Sequence, residues 1–352
     1  MDTKRVIRTS SALCLLLGVV AAPAATAAGV ADFYKNKTVT ILVGFGSGGS
    51  YGVYARLLAN AFAKYIPGKP KVIPQYMPGG GSRKAINYLY NVAPRNGAVL
   101  GMGIPQLAFN QLIFPKGIKF DMRKFNFIGR LTDGNVIFML RSDSPGGGTL
   151  AGAKEKQVVI GGSGKGTHTY MIPAVMNSLL GTKFKIILGY KGSRAEWLAM
   201  ERGEIHGMTG SWLNWKSRKS EWIKSGFITP IVEVGLKKTP GIPGVAPDLP
   251  GVPLLKDLGK TKADRELLTF ISTPTQIGRA LLAPPGVPKD RLAALRTAFF
   301  AAMKDPKFLA GAKKSNLPVR PASGDVVQAA VRKALAAPPE LIARAKKALG
   351  VK

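Results

Sequence analysis

The chain has 352 residues, and 51 Lys+Arg against 19 Asp+Glu leave it a formal charge of +32. That length is ample for two domains, and so positive a field draws in anionic ligands. The single cysteine, Cys14, lies in the first apolar stretch, so the rest of the chain offers no disulfide, cysteine metal site or cysteine nucleophile.

In chain order, Lys4, Arg5 and Arg8 precede an apolar run at 12–22 and the A-x-A site Ala25-Thr26-Ala27. This pattern predicts a signal peptide over 1–27, cut near Ala27 or Ala28, and a periplasmic product, with an uncleaved anchor as the alternative. Leu13 before Cys14, and the apolar residues after it, do not suit lipidation. Loss of three basic residues and one acidic residue with the leader leaves +30. No later segment reaches the roughly 18 uninterrupted apolar residues of a membrane helix. The basic residues are scattered, without zinc-finger spacing, a basic zipper or an RNP signature, so no nucleic acid partner is expected.

Strand signals at 39–45, 71–75 and 99–103 alternate with helix signals at 53–65 and 82–92. Alternation of this kind points to parallel sheets with crossover helices. A β-rich run at 127–140 is interrupted at Asp133-Gly134, and 144–148 reads as a turn or hinge. A second series follows: strand 157–160, glycine turn 161–166, helix 167–180, strand 184–188, helix 193–202 and strands 205–209 and 228–234. Beyond a proline-rich loop at 237–253, a strand at 277–283 ends in Pro284-Pro285-Gly286. Helices are predicted at 289–303, 306–314, 324–336 and 339–349, the last stopping at Gly350. Strand, glycine turn and helix thus occur twice, about 115 residues apart, as in two similar α/β lobes. Ligands of open α/β sheets sit at the carboxyl ends of strands, so a cleft between facing glycine turns is the expected site.

The first turn, Phe45-Gly46-Ser47-Gly48-Gly49-Ser50, opens directly onto a helix. First-turn N–H groups lack intrahelical partners and the helix dipole adds positive charge there, so the turn is an anion site. Gly46, Gly48 and Gly49 are expected to take positive φ and bring backbone close to a ligand. With Gly44 the turn matches G-x-G-x-x-G, but the next strand ends Ile73-Pro74-Gln75-Tyr76, with no acid to take a ribose. No cofactor is expected. The second turn, Ser163-Gly164-Lys165-Gly166-Thr167, is not a P-loop: Gly166 separates Lys165 from Thr167, and Val159 stands where the first glycine belongs. It remains an anion-binding helix start, with Lys165 as counter-charge and the Thr167 hydroxyl as donor. Neither turn gives G-x-S-x-G, because Phe45 and Lys165 occupy required glycine positions. The two histidines are His168 and His206; nothing around them supports a serine triad or a metal site, and His168 is a candidate pocket residue. Tyr190-Lys191-Gly192-Ser193 opens another helix, as a third ligand loop or an ordinary turn. Trp212, Trp215 and Trp222, read as exposed, fit core, a hinge surface or a partner face.

Together these loops resemble the substrate-binding receptors of the tripartite tricarboxylate transporter family, the Bug-type periplasmic receptors. The first loop and the following Val53-Tyr54-Ala55-Arg56 match, as do Met77-Pro78-Gly79-Gly80-Gly81-Ser82, Val92-Ala93-Pro94-Arg95-Asn96-Gly97 and the Tyr190–Ser193 loop. Leu198-Ala199-Met200-Glu201-Arg202-Gly203-Glu204-Ile205 and Ala283-Pro284-Pro285-Gly286-Val287-Pro288 follow in order, over about 250 residues. The resemblance implies an α/β, two-lobed periplasmic-binding-protein (Venus-flytrap) fold, type II-like. Lobe 1 would comprise 32–135 plus 275–352, and lobe 2 would comprise 136–274. It implies a non-catalytic monomer that delivers a small anionic carboxylate to integral-membrane permease subunits. Carried over by position, Phe45, Gly46, Ser47, Gly48, Gly49 and Ser50 would hold the carboxylate. Ser163, Gly164, Gly166, Thr167, Tyr190, Gly192 and Ser193 would hold the far end, joined by Lys165 and His168 from the residue reading above. The family often has Asp where Gly52 stands, and a segment that usually carries acids reads His206-Gly207-Met208-Thr209-Gly210. Loss of those acids disfavours amino acids and favours a di- or tricarboxylate or an aromatic acid. A sensor presenting its ligand to a two-component system, or a secreted hydrolase, are the alternatives.

Overall fold

Strand β1 (Thr38–Val43) is the kernel of the first lobe, and Val39, Ile41, Leu42 and Val43 are all buried. A strand covered on both faces reads as a near-continuous apolar run, as here. The computed structural model describes residues 24–239 and 251–351; most of the expected leader, and 240–250 of the proline-rich loop, lie outside the described residues. β1 pairs in parallel with β2 (Lys71–Tyr76) and β3 (Val99–Met102). β2 carries Pro74 and is the edge strand, where a missing N–H is tolerated.

The apolar run at 127–140 splits between two sheets. β4 (Asn126–Arg130) belongs to the first, and β5 (Val136–Arg141) opens the second. The second sheet continues with β6 (Val158–Gly162), β7 (Phe184–Leu188), β8 (Gly207–Ser211) and β9 (Ile228–Val234), in the order β7-β6-β8-β5-β9. The chain then returns for β10 (Ala280–Ala283) and β11 (Ala322–Ser323), completing the order β11-β4-β10-β3-β1-β2.

Both sheets are mixed, which corrects the expectation of parallel ones. β5 runs antiparallel to β8 and β9, and β10 runs antiparallel to β3 and β4. β5 and β10 are the strands that receive the chain from the opposite lobe. They start at the cleft end, where β1, β4, β6 and β8 finish. The crossings pair with each other: Arg279 N donates to Thr132 O (2.9 Å) and Leu131 N to Arg279 O (2.9 Å). The interlobe connection is therefore 131–135 beside 276–279. The segment at 144–148 is no hinge but a surface turn of the second lobe, with Gly146, Gly147 and Gly148 at positive φ and Gly148 O accepting from Thr229 Oγ1.

Each sheet has helices on both faces. Helices Ser50–Tyr65, Lys289–Met303 and Pro306–Lys314 cover one face of the first sheet; Arg83–Asn91 and Gly324–Leu335 cover the other. Helices His168–Leu180 and Lys262–Ser272 cover one face of the second sheet, and Ser193–Glu201 with Trp212–Arg218 cover the other. The C-terminal helix Pro339–Ala348, expected with the first lobe, buries Ala345, Ala348 and Leu349 in the second core, where Tyr170 Oη donates to Leu349 O (3.1 Å). Phe109 and Ile113 of helix Leu107–Ile113 join them, the Phe109 ring centre lying 4.7 Å from that of Phe270. Trp212 and Trp215 are core residues rather than exposed ones: Trp215 is fully buried and its Nε1 donates to Ile137 O.

Candidate functional site

The turns after β1 and β6 face each other across a cavity of about 1000 Å³ between the lobes. On the first side, Gly49 caps helix Ser50–Tyr65, whose first turn has no acidic residue to oppose an anion. Space for a side chain at Gly46 and Gly49 is empty, and at Gly48 only Arg194 Cδ comes as near as 4.0 Å, so the backbone lies open to the cleft. None of the three takes positive φ, and Gly49 sits at −86°. Their contribution is open approach rather than an unusual conformation. Gly52 is fixed by packing: a Cβ there would lie 2.2 Å from Ser47 O, so the loop folds back over this position.

On the second side, Ser163 N donates to Thr169 Oγ1 (3.0 Å), and Thr167 Oγ1 donates to Gly164 O (2.8 Å) while lying 2.6 Å from Thr169 Oγ1. These hydroxyls hold the turn in shape before any ligand arrives. His168 Nδ1 lies 2.8 Å from Thr209 Oγ1, and burial, aided by the charge of Arg279, pushes its pKa down to about 4. It is a neutral group at neutral pH.

Eleven of the fifteen predicted residues line the cavity: Phe45 through Ser50, Ser163, Thr167, His168, Gly192 and Ser193. Four do not. Gly164 closes its turn through its carbonyl, and Lys165 is exposed away from the cavity. Gly166 is packed under Asn110, whose Nδ2 donates to its carbonyl (2.8 Å), and Tyr190 packs on the second-lobe core beside Ile205 and Gly161.

Among the cavity residues that the sequence reading does not include, two carry buried ionisable side chains, Arg279 and Glu196. Arg279 is 7% exposed, and among the described residues it is the only buried basic side chain. Its Nη2 donates to Ser50 Oγ (2.8 Å) in one lobe and to Ser211 Oγ (3.1 Å) in the other. The guanidinium carbon lies 5.0 Å from the Tyr51 ring centre and 5.6 Å from that of Tyr54, and its Nε has no partner. Glu196 is 1% exposed, its Oε1 has no partner, and burial raises its pKa to about 8. A signal for each exists: Gly278-Arg279 sets a lone charge against the apolar Ala280-Leu281-Leu282-Ala283, and Glu196 shares the 196/197/200 helical face with Trp197 and Met200. Lys191 and Arg194 are exposed at the cleft, while Lys219 pairs with Glu201. Among the described residues no group of three or more His, Cys, Asp and Glu is placed to hold a metal ion.

No family model matches the chain, and no curated protein matches it. Among solved structures the chain is similar to the periplasmic binding protein BugD, at 20% identity over 91% of this chain and 99% of that one, with a TM-score of 0.70. It is similar to MatC from Rhodopseudomonas palustris with bound malate, at 20% identity over 89% and 99%, TM-score 0.66. It is also similar to Rpa4515 of the same organism with adipate, at 17% identity over 90% and 98%, TM-score 0.67. The chain has the two-lobed fold of these periplasmic binding proteins.

Proposed function

We propose that the chain is a periplasmic solute receptor of the tripartite tricarboxylate transporter kind, capturing a small organic carboxylate between its lobes and delivering it to membrane permease subunits. The guanidinium of Arg279 carries this reading: a buried cation at the cleft, bonded to a hydroxyl of each lobe and retaining an unpaired Nε. A buried charge without a counter-ion is costly, and a ligand carboxylate is the natural complement. The open backbone of 46–49 and the first turn of helix Ser50–Tyr65 supply further N–H donors beside it. Lys191 and Arg194 at the cleft steer anions inward. Ligand held to both lobes favours the closed arrangement, which is the form a permease would recognise.

The fold neighbours carry malate and adipate, and a dicarboxylate, a tricarboxylate or an aromatic acid has room in a cavity of about 1000 Å³. The test is a thermal-shift screen followed by calorimetry with malate, adipate, citrate, benzoate and aspartate. A cognate acid should raise stability saturably, by about 2.7 kcal/mol at a hundredfold excess over Kd, and should be recovered unchanged. Absence of any shift across the carboxylates refutes the reading. Equal affinity for citrate and aspartate refutes selection by charge.

A further inference from the structure

We infer, on the carboxylate-receptor reading above, that Glu196 serves the cleft as a neutral carboxylic acid, donating a hydrogen bond to an acceptor oxygen of the ligand from the second-lobe side. Glu196 lies in helix Ser193–Glu201, lines the cavity, and is 1% exposed with Oε1 unpartnered. Its helix neighbours Trp197 and Met200 are buried in the apolar cluster that contains Trp212 and Trp215. Among the described residues no Lys, Arg or His stands within ion-pair distance of it.

An ionised carboxylate so placed loses its hydration without gaining a counter-charge, whereas protonation removes that penalty and leaves an O–H donor. Burial accordingly moves its pKa up to about 8. The charged and titratable groups around it are Tyr190 and Lys191 before its helix, Arg194 and Glu201 on it, and His168 and His206 at the ends of neighbouring elements. Arg218, Lys219 and Arg279 line the same cavity, and Glu204 acts on Tyr190 as Glu196 does. Lys219 is engaged by Glu201, His168 is neutral at pH 7, and His206 Nδ1 accepts from Val159 N.

Two chemistries satisfy a lone buried acid: a ligand ammonium meeting the carboxylate, or a ligand oxygen meeting the acid. Five basic side chains line the cleft, namely Lys191, Arg194, Arg218, Lys219 and Arg279. They repel an ammonium and attract carboxylate. The neutral acid adds a donor without adding repulsion, so the ligand it fits bears one carboxylate for Arg279 and a second carboxylate or carbonyl for Glu196.

The test has two arms. In the first, ligand-free protein labelled with ¹³C at the glutamate side-chain carboxyl is titrated by NMR, with Glu196→Gln identifying the resonance. Glu196 should be mostly protonated at pH 7 and titrate near pH 8; a resonance ionised at pH 7 overturns the assignment whatever the ligand proves to be. In the second arm, calorimetry with malate and adipate compares pH 7 with pH 9. Wild-type affinity should fall about tenfold as the acid ionises. Glu196→Gln, which carries an N–H donor at both pH values, should abolish that fall, and Glu196→Met should weaken binding at pH 7. Aspartate bound more tightly than malate, and lost in Glu196→Gln, overturns the assignment by making Glu196 an ammonium partner. If no carboxylate binds the wild type, the receptor reading fails while the NMR arm decides Glu196 independently.

Discussion

Replacing Arg279 with Met separates ligand binding from folding. The side chain makes two bonds to neutral hydroxyls, at 2.8 and 3.1 Å, and leaves Nε unpaired. Bonds that involve a charged group contribute about 1.5–3 kcal/mol each, while burying an ion costs several kcal/mol even after relaxation. These terms nearly cancel in the empty protein, so its melting temperature should stay within a few degrees of wild type or rise. With ligand present the balance changes. Truncating one member of a buried, hydrogen-bonded charge pair costs about 2–5 kcal/mol, or at least about 30-fold in Kd. Calorimetry with the best carboxylate from the screen measures the affinity, and differential scanning fluorimetry of the empty protein measures the stability. Arg279→Lys should fall between, since it keeps the charge and loses the planar fork. A Met variant that binds within threefold of wild type would falsify the placement of the carboxylate at Arg279.

Three further outcomes are expected. Gly49→Asp, at a position with φ −86° and nothing within 4 Å of a new Cβ, should fold normally and lose carboxylate binding, because it sets a like charge at the helix start; retained affinity in calorimetry would show that the first turn is not the site. Gly52→Ala should lower stability by about 1–3 kcal/mol in chemical denaturation, since its methyl would meet backbone at Ser47 rather than a movable side chain; an unchanged midpoint would show that the loop gives way freely. His168 titrates near 4 when folded against about 6.5 ordinarily, so below 6.5 the unfolded chain takes a proton that the folded one refuses. Stability should therefore fall as pH drops from about 6.5 towards 4, by up to about 3 kcal/mol, and His168→Asn should flatten that part of the denaturation-versus-pH curve.

The cleft-lining loops were legible because their signals are local. An apolar strand, a glycine turn and an amphipathic helix are written within about 25 consecutive residues, at 39–65 and again at 157–180. Helix Lys262–Ser272 carries a local signal as well, the capping box that Thr261 and Asp264 form at its start. The position of Tyr190 depends on packing instead. Its loop has the chemistry of a ligand contact, but an aromatic ring turns towards whichever neighbour offers apolar surface, here Ile205.

By itself the sequence determined the two strand–turn–helix units, the oversupply of positive charge and the glycines that leave the first turn's backbone open. Each of these follows from residue type and short-range spacing. Tertiary structure alone decided which charges lose their water. Arg279 meets Ser50 across 229 positions of chain, and Glu196 is buried by a core assembled from β5, β8 and helix Trp212–Arg218. It also decided the strand directions and the place of the C-terminal helix, which depend on where the chain re-enters each lobe. A charge on an exposed helix and one sealed in a cleft look alike in sequence, and their difference arises from dielectric surroundings that only the packed lobes create.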